Sequence, residues 1–544
     1  MARLGGAGHV TAWNGAARPG EAGIGAAGKC KMQPRPYQQT VIDSVESAFV
    51  QFNRALVVLP TGGGKTIVFS HIAQRQPGRT LILAHREELI DQAIAKLHAA
   101  TGIIAEKEKA DDYASMNAHV VVASIQTMMR RADRWPQDHF SLVVCDEAHH
   151  SISDSWSGVL SRFDGHAKVL GVTATPDRGD ARELGTYYQT IAAEVSLGEL
   201  IRDGYLSPII VKMLPLTIDL SGVKQVAGDY DAAALGDALV PYLRSIAHCI
   251  RDHASFRRTL CFLPLIHTSK MFVDTCNSIG LKAAHVDGTS EDRAEILARF
   301  ARGEFDILSN AMLLTEGYDV DSAPTGVGID CVCVLRPTRS RPLYAQMVGR
   351  GTRIAPLKEN LLLLDFLWSS QRHSLSRPAH LVAKSESEAE VITALAVEKS
   401  ISGGESQESL DIEGLASEAA EQRHAALRKK LDEHRNKKAK SISAAEFAAS
   451  LNDSELMDYE PVMQWESEAI SDKQSKVLKR AHIDVKTVLG RGHASKLISH
   501  IMRNQPITPA SVAQKAMMKR MGCEHWETAT SADARKFFAG MRNK

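Results

Sequence analysis

Two short stretches almost three hundred residues apart carry side chains suited to one reaction. LPTGGGKT at 59–66 follows an apolar run, and Gly62, Gly63 and Gly64 let backbone amides approach a phosphate that a Cβ would hold away. With Pro60 and Thr61 at its entry, such a loop uses Lys65 to bridge the β- and γ-phosphates and the Thr66 hydroxyl to ligate magnesium. Leu59 stands where the usual first glycine would be, so the strict pattern is not met. VVLP before it and the helix-like TIVFSHIA after it still supply the strand and helix that the loop requires. QMVGRGTR at 346–353 places Arg350 and Arg353 at a spacing suited to reaching a γ-phosphate from outside. DEAHH at 146–150 ends the apolar run LVVC, where Asp146 can hold magnesium through water and Glu147 can orient and deprotonate an attacking water. Alone, an acidic pair after a strand is often only a polar strand end. Together the three stretches describe nucleoside triphosphate hydrolysis in a site closed between two domains.

The elements that must position these residues are legible as short apolar runs. ALVVLP, TLILAH, HVVVAS, LVVCDE and AKVLGVTAT recur from residue 55, with helix-like stretches between most of them. TLCFLP, KAAHVD, FDILSN, CVCVLR and LLLLDF repeat the plan after residue 255. Buried strands alternating with helices predict parallel, doubly wound sheets, here two α/β domains in tandem. The expected limits are 32–195 and 251–370, with 196–250 as a connector. Residues 1–31, rich in Gly and Ala without periodicity, read as a disordered extension, and Met32 is a candidate initiator. GIGAAGKC at 23–30 mimics a phosphate loop, but no strand feeds it and Cys30 replaces the hydroxyl.

Beyond Phe366 the chain becomes polar, and 371–460 reads as a charged helical or flexible linker. Residues 461–544 form a basic module with an internal offset of forty residues, in which Ser471, Gln474, Lys479 and Arg480 recur as Ser511, Gln514, Lys519 and Arg520. Each unit reads as two short helices that could not bury an apolar face alone, giving a small all-α module. Residues 471–544 hold fifteen Lys/Arg against five Asp/Glu, net +10 against −9 for residues 1–470. A basic tail on an acidic body predicts a polyanion partner, with a protein-docking surface as the alternative. The eight cysteines are scattered without zinc spacing, which predicts no structural zinc and a reducing, cytoplasmic setting. No run of eighteen apolar residues is present, so no membrane span is expected.

RPYQQ (35–39), LPTGGGKT, AHREELIDQ (84–92), ASIQT (123–127), DEAHH, TAT (173–175), LTEGYDV (314–320) and QMVGRGTR appear in the order of superfamily 2 DExH helicases. The chain resembles that superfamily over roughly 33–370, and LRPTRSRPLYAQMVGRGTR with GYLSP is most similar to bacterial RadD-like DNA-repair helicases and related phage proteins. Those relatives commonly carry cysteine-rich zinc segments after the motor, which this chain lacks. The resemblance implies two tandem RecA-like domains using ATP and Mg2+ to act on nucleic acid, with DNA bearing a single-stranded region or junction as the expected substrate. An RNA-remodelling ATPase and an ATP-gated binder that does not unwind remain the alternatives. By position, Gln38 with Arg35 would read adenine, Gly317 and Asp319 would touch the nucleotide, and Gln346, Arg350 and Arg353 would act from the second domain. His149, Thr173 and Thr175 would couple hydrolysis to domain movement, with His149 meeting Gln346. His85, Arg86, Ser124, Gln126, Thr127 and Thr315 would contact the nucleic-acid backbone.

Overall fold

The fold is a computed structural model, described for residues 32–84, 88–174, 184–214, 223–226, 229–288, 290, 292–311, 328–366, 375–383, 386–402, 410–436, 442–451, 453–457, 459–461, 463–503, 511–521 and 538. His85, Arg86, Thr175, Thr315, Gly317 and Asp319 lie outside the described residues, as do 1–31 with the second glycine-rich stretch.

The first sheet contains β1 (Arg54–Val58), β2 (Thr80–Ala84), β3 (Glu106–Glu108), β4 (Val120–Ser124), β5 (Leu142–Asp146), β6 (Lys168–Thr173) and β7 (Thr190–Glu194). Their order is β3-β4-β2-β5-β6-β1-β7, with every pairing parallel. Strands covered on both faces must be apolar at successive positions, and β2 and β4 are buried along their whole length. Two side-chain clusters fill the two faces: one gathers Phe69, Ile72 and Leu97 from the helices over β1 and β2, the other Trp135, Trp156 and Phe163. Parallel register brings the strand ends into one row, pairing Val58 with Thr173, Asp146 with Val172 and Ala84 with Ser124. That row carries the phosphate loop, the acidic pair and the threonine motif.

The second sheet contains β8 (Ile209–Met213), β11 (Thr259–Phe262), β12 (Ala283–Val286), β13 (Ile307–Asn310), β14 (Cys331–Val334), β15 (Leu361–Asp365) and β16 (Leu410–Asp411). A two-residue hairpin, β9 (Gln225–Val226) with β10 (Asp229–Tyr230), precedes β11. The order is β12-β13-β11-β14-β15-β8-β16, parallel except for β16 at the edge. Cys331 and Cys333, from the apolar run CVCVLR, are buried residues of β14. Two seven-stranded, largely parallel sheets in tandem are the doubly wound α/β plan that the apolar runs predict.

The domain limits differ from the sequence expectation in three places. Residues 209–213, expected in the connector, form β8 beside β15, and helices Ala232–Leu239 and Leu243–Ala254 bury Leu235, Leu239, Ile246 and Ile250 in the second core. Part of 371–460 also belongs to this domain: β16 pairs with β8, and Ile392, Leu410, Ile412, Leu415 and Ala419 enter the core against that strand. The helix Ile412–Asn436 buries a narrow stripe near its start, which its polar majority conceals in the sequence. The helical module begins at 442 rather than 461, because Ile442 bridges Ile483 and Ala444, Ala448 and Ala449 pack on Leu478, Ala494 and Leu497.

The forty-residue offset is structural. Helices Asp472–Arg480 and Val512–Arg520 open with the same capping box, Gln474 N–H donating to Ser471 Oγ at 3.3 Å and Gln514 N–H to Ser511 Oγ at 3.2 Å. Leu478 and Met518 are buried at the same offset, while Lys479, Arg480, Lys519 and Arg520 are exposed. Among the described residues, no helix is long and apolar enough to cross a membrane.

Candidate active site

Strand β1 delivers the chain into a tight loop that ends at the helix Lys65–Arg75. Gly62 (φ +88°) and Gly64 (φ +79°) occupy the left-handed region that a side chain would strain. A Cβ on Gly64 would also overlap Gln38 Nε2, and one on Gly62 would lie 3.0 Å from Thr352 Oγ1. Gly63 N–H donates to Pro60 O at 2.9 Å, closing the turn. Among the described residues the Thr61 hydroxyl is buried without a hydrogen-bond partner. An orphaned hydroxyl beside a glycine cradle at a helix start fits a bound polyphosphate.

Lys65 Nζ donates to Glu147 Oε1 at 2.5 Å, and both side chains are largely buried. Glu147 has φ +53°, strained for a residue with a Cβ and held by the 3-10 turn Ala148–His150 that follows. Such strain is of order 1–3 kcal/mol and clusters at functional sites. Glu147 Oε2 is buried without a hydrogen-bond partner among the described residues, 3.6 Å from His149 Nδ1. Burial opposes ionisation of Glu147, but the Lys65 ammonium, followed by His149 and Arg350, outweighs it and holds the carboxyl below its ordinary value. One oxygen is thus fixed by a cation while the other can accept a proton from water.

Asp146 responds in the opposite sense. Burial, then the adjacent Glu147 charge, pushes its carboxyl up to about 6, with Lys65 opposing. Asp146 and the Thr66 hydroxyl form the donor set expected for magnesium, which takes few protein oxygens and completes its shell with phosphates and water. Protons and metal compete for the same carboxylate, so magnesium affinity is expected to fall as pH drops through about 6, roughly tenfold per unit below it. Magnesium titration of the nucleotide complex between pH 7 and 5 measures this, with Asp146→Asn as the reference that removes the nucleotide's own titration. Identical slopes in the two proteins would refute it.

The second domain meets this loop directly. Helix Arg341–Gly349 buries Gln346 and ends against the loop, where a Cβ on Gly349 would lie 2.5 Å from Thr61 Cβ. Arg350 is only 8% exposed, and its charge is felt at Glu147. Burial lowers the pKa of Arg353, whose Cγ would lie 3.9 Å from a Gly62 Cβ. Lys65, Glu147, Arg350 and Arg353 therefore converge although they come from two domains. His149 has Thr173 Oγ1 at 3.4 Å, which joins the acidic motif to the threonine motif.

Gln38 is buried with its amide already engaged: Oε1 accepts from Arg35 N–H at 2.9 Å, and Nε2 donates to Gly63 O at 3.1 Å. Tyr37 OH donates to the same carbonyl at 2.8 Å and its ring meets that of Tyr205 at 4.7 Å, with Arg35 over Tyr205 at 5.7 Å. Ser124 and Thr127 are buried and bonded to one another, Thr127 N–H donating to Ser124 Oγ at 3.1 Å as the cap of helix Ile125–Arg131. Gln126 is the exposed member of that trio. Lys96 was not singled out by the motifs. Burial, then the Arg353 and Arg350 charges, lowers it to about 8, so it shares their field. Nothing in the helical pattern of 88–101 distinguishes it from a surface lysine.

Residues 31–178 match the family described as Type III restriction enzyme, res subunit, and residues 241–355 match the Helicase conserved C-terminal domain. The two domains are similar to those of superfamily 2 helicases. The chain is 31% identical over 389 residues to IRC3 of Saccharomyces cerevisiae, named as an ATP-dependent helicase, covering 66% of this chain and 55% of that protein. It is 30% identical over 379 residues to irc3 of Schizosaccharomyces pombe, named as a mitochondrial ATP-dependent helicase, covering 65% and 61%. The chain thus spans less than two thirds of the length of either. It is also 24% identical to XPB2 of Sulfurisphaera tokodaii, named as a DNA 3'-5' translocase, covering 64% and 85%.

Proposed function

We propose that this superfamily 2 protein is an ATP- and magnesium-dependent helicase or translocase acting on DNA with a single-stranded region or junction. The observation that carries the reading is the meeting of Lys65 and Glu147 with the Arg350–Arg353 turn across Gly62. Bound magnesium would neutralise charge on the β- and γ-phosphates. ATP displaces Lys65 from Glu147 toward those phosphates, freeing the carboxylate to orient and deprotonate water. Arg350 and Arg353 then stabilise charge developing on the γ-phosphate. Gln38 and Arg35 bind the adenine side, with Gly317 and Asp319 completing the pocket. Hydrolysis is relayed through His149, Thr173 and Thr175, and loss of the γ-phosphate opens the cleft.

DNA lies along the strand-end face of both domains, in contact with His85, Arg86, Gln126 and Thr315, while Ser124 and Thr127 shape that surface as a cap. Relatives named for ATP-dependent helicase and DNA translocase activity support this reading. The GYLSP and arginine-motif resemblance favours a RadD-like repair role. The six described cysteines are all unpaired, as a reducing cytoplasm would keep them.

The tail module grips the phosphate backbone through Lys479, Arg480, Lys519 and Arg520, exposed at the ends of matching helices. ATPase rates on single-stranded DNA, forked DNA and RNA test the assignment, with Lys65→Ala as the inactive control. Forked or single-stranded DNA is expected to stimulate most; RNA stimulating more would favour the remodelling reading, and stimulation without strand displacement the gated binder. Replacing the four tail cations with glutamine should flatten the slope of log affinity against log salt. An unchanged slope would assign the tail to a protein partner.

A further inference from the structure

The segment joining the two domains passes between the phosphate loop and the arginine turn, and touches both. Helix Leu197–Arg202 opens with a Ser196–Glu199 capping box and ends at Gly204, where Tyr205 and Leu206 N–H both donate to Leu200 O, at 2.8 and 3.0 Å. On one side, Leu200 Cδ1 and Leu206 Cδ2 lie 3.2 and 3.1 Å from where Cβ atoms would stand on Gly63 and Gly62, and Tyr205 meets Tyr37 and Arg35. On the other side is Ser207, which is 3% exposed. Its N–H donates to Thr352 O at 2.7 Å and its hydroxyl to Arg353 O at 3.1 Å. Pro208 O then accepts from Leu361 N–H at 2.8 Å, which seats the chain in the second sheet beside β15.

Lys358 completes the clamp. Its ammonium donates to Gly351 O and, at 2.7 Å, to Arg353 O. The Thr352 hydroxyl turns back to Gly349 O at 2.9 Å. Every carbonyl from Gly351 to Arg353 therefore accepts a bond from Ser207 or Lys358. A turn carrying two long cations, Arg350 buried and Arg353 half-buried, gains its aim from such backbone anchors, because guanidinium placement depends on where the Cα–Cβ bonds point.

We propose that Ser207 is a positioning residue for the arginine pair: its two bonds fasten the Arg350–Arg353 turn to the interdomain segment that packs on the phosphate loop. Rotation of the domains about this segment then carries the arginines with the loop, so they reach the γ-phosphate in register. The inference rests on the arginine reading of the proposed function.

The test is steady-state, nucleic-acid-stimulated ATPase of the full chain. Losing one neutral hydrogen bond in the clamp corresponds to about a three- to tenfold fall in kcat for Ser207→Ala. The KM for ATP should stay within about twofold, because the phosphate loop is untouched. Ser207→Thr should recover the rate by restoring the hydroxyl. Lys358→Met removes the other side-chain donor to Arg353 O and should give the same split, which keeps the test available if Ser207→Ala does not fold. Wild-type kcat in the alanine variant, or a fall that threonine does not rescue, overturns the inference provided Arg353→Ala is inactive. If Arg353→Ala itself turns over ATP at the wild-type rate, the arginine reading fails instead.

Discussion

Replacing Arg350 with alanine is expected to lower ATP turnover by about 10³- to 10⁵-fold, the range over which an arginine finger acts, while ATP affinity changes by no more than a few fold. The side chain is 8% exposed and its charge is felt at Glu147, yet it comes from the second domain, outside the loop proposed to hold the triphosphate. Its contribution therefore appears as charge develops on the transferred phosphoryl group rather than when the nucleotide first binds. Arg350→Lys should recover only part of the rate, since an ammonium lacks the planar fork. Single-turnover hydrolysis alongside binding of a fluorescent ATP analogue measures both quantities. Retention of more than half the wild-type rate would mean that the two domains do not share one catalytic site.

Glu147→Gln should lower turnover by about 10²- to 10⁴-fold through loss of the base. The same change should tighten ATP binding. Lys65 donates to Glu147 at 2.5 Å, in surroundings where both side chains are at most 13% exposed, and ATP must break that pair to engage the lysine. A neutral amide competes less well for the ammonium, so more of the phosphate–lysine attraction appears as affinity. Equilibrium binding to Glu147→Gln and Lys65→Ala decides it. Weaker binding in the glutamine variant would show that the pair pre-orients Lys65 for ATP rather than competing with it.

Most of the site's chemistry was legible because it is carried by local motifs. Gly62 to Thr66 and Asp146–Glu147 sit directly after apolar runs, and the sheet register sets those run ends side by side, as a parallel sheet requires. All ten apolar runs became strands. The four sheet strands that were missed lack such runs or follow a turn: β3 is Glu-Lys-Glu, β7 is only partly buried, β8 alternates burial, and β16 spans two residues. β3, β7 and β16 lie at sheet edges, which bury less surface, so weak apolar patterning suffices for them; β8 sits one place in, flanked on its outer side only by the two-residue β16. That is also why the second domain extends to 209 on one side and beyond 410 on the other, where the sequence suggested a connector and a linker.

Residues that act by holding others left no such mark. Ser207 stands in GYLSP, which the sequence marked only as a family likeness, and Lys358 is ordinary in sequence; their role comes from meeting the carbonyls of Gly351, Thr352 and Arg353, which Ser207 does at long range. Ser124 and Thr127 show the reverse, since a motif expected to face nucleic acid is occupied in capping its own helix.

The sequence by itself determined which residues could carry the proposed reaction: a phosphate loop needs contiguous glycines, a lysine and a hydroxyl, and an acidic pair must follow a strand. Contiguous residues are placed by backbone geometry alone, so a linear pattern is enough. Only the tertiary structure decided that the arginine turn lies on Gly62, that Glu147 gives one oxygen to Lys65 and keeps the other buried without a hydrogen-bond partner, and that the interdomain segment fastens both. Those relations join residues more than eighty positions apart, and packing of the two sheets about one interdomain segment brings them within bonding distance.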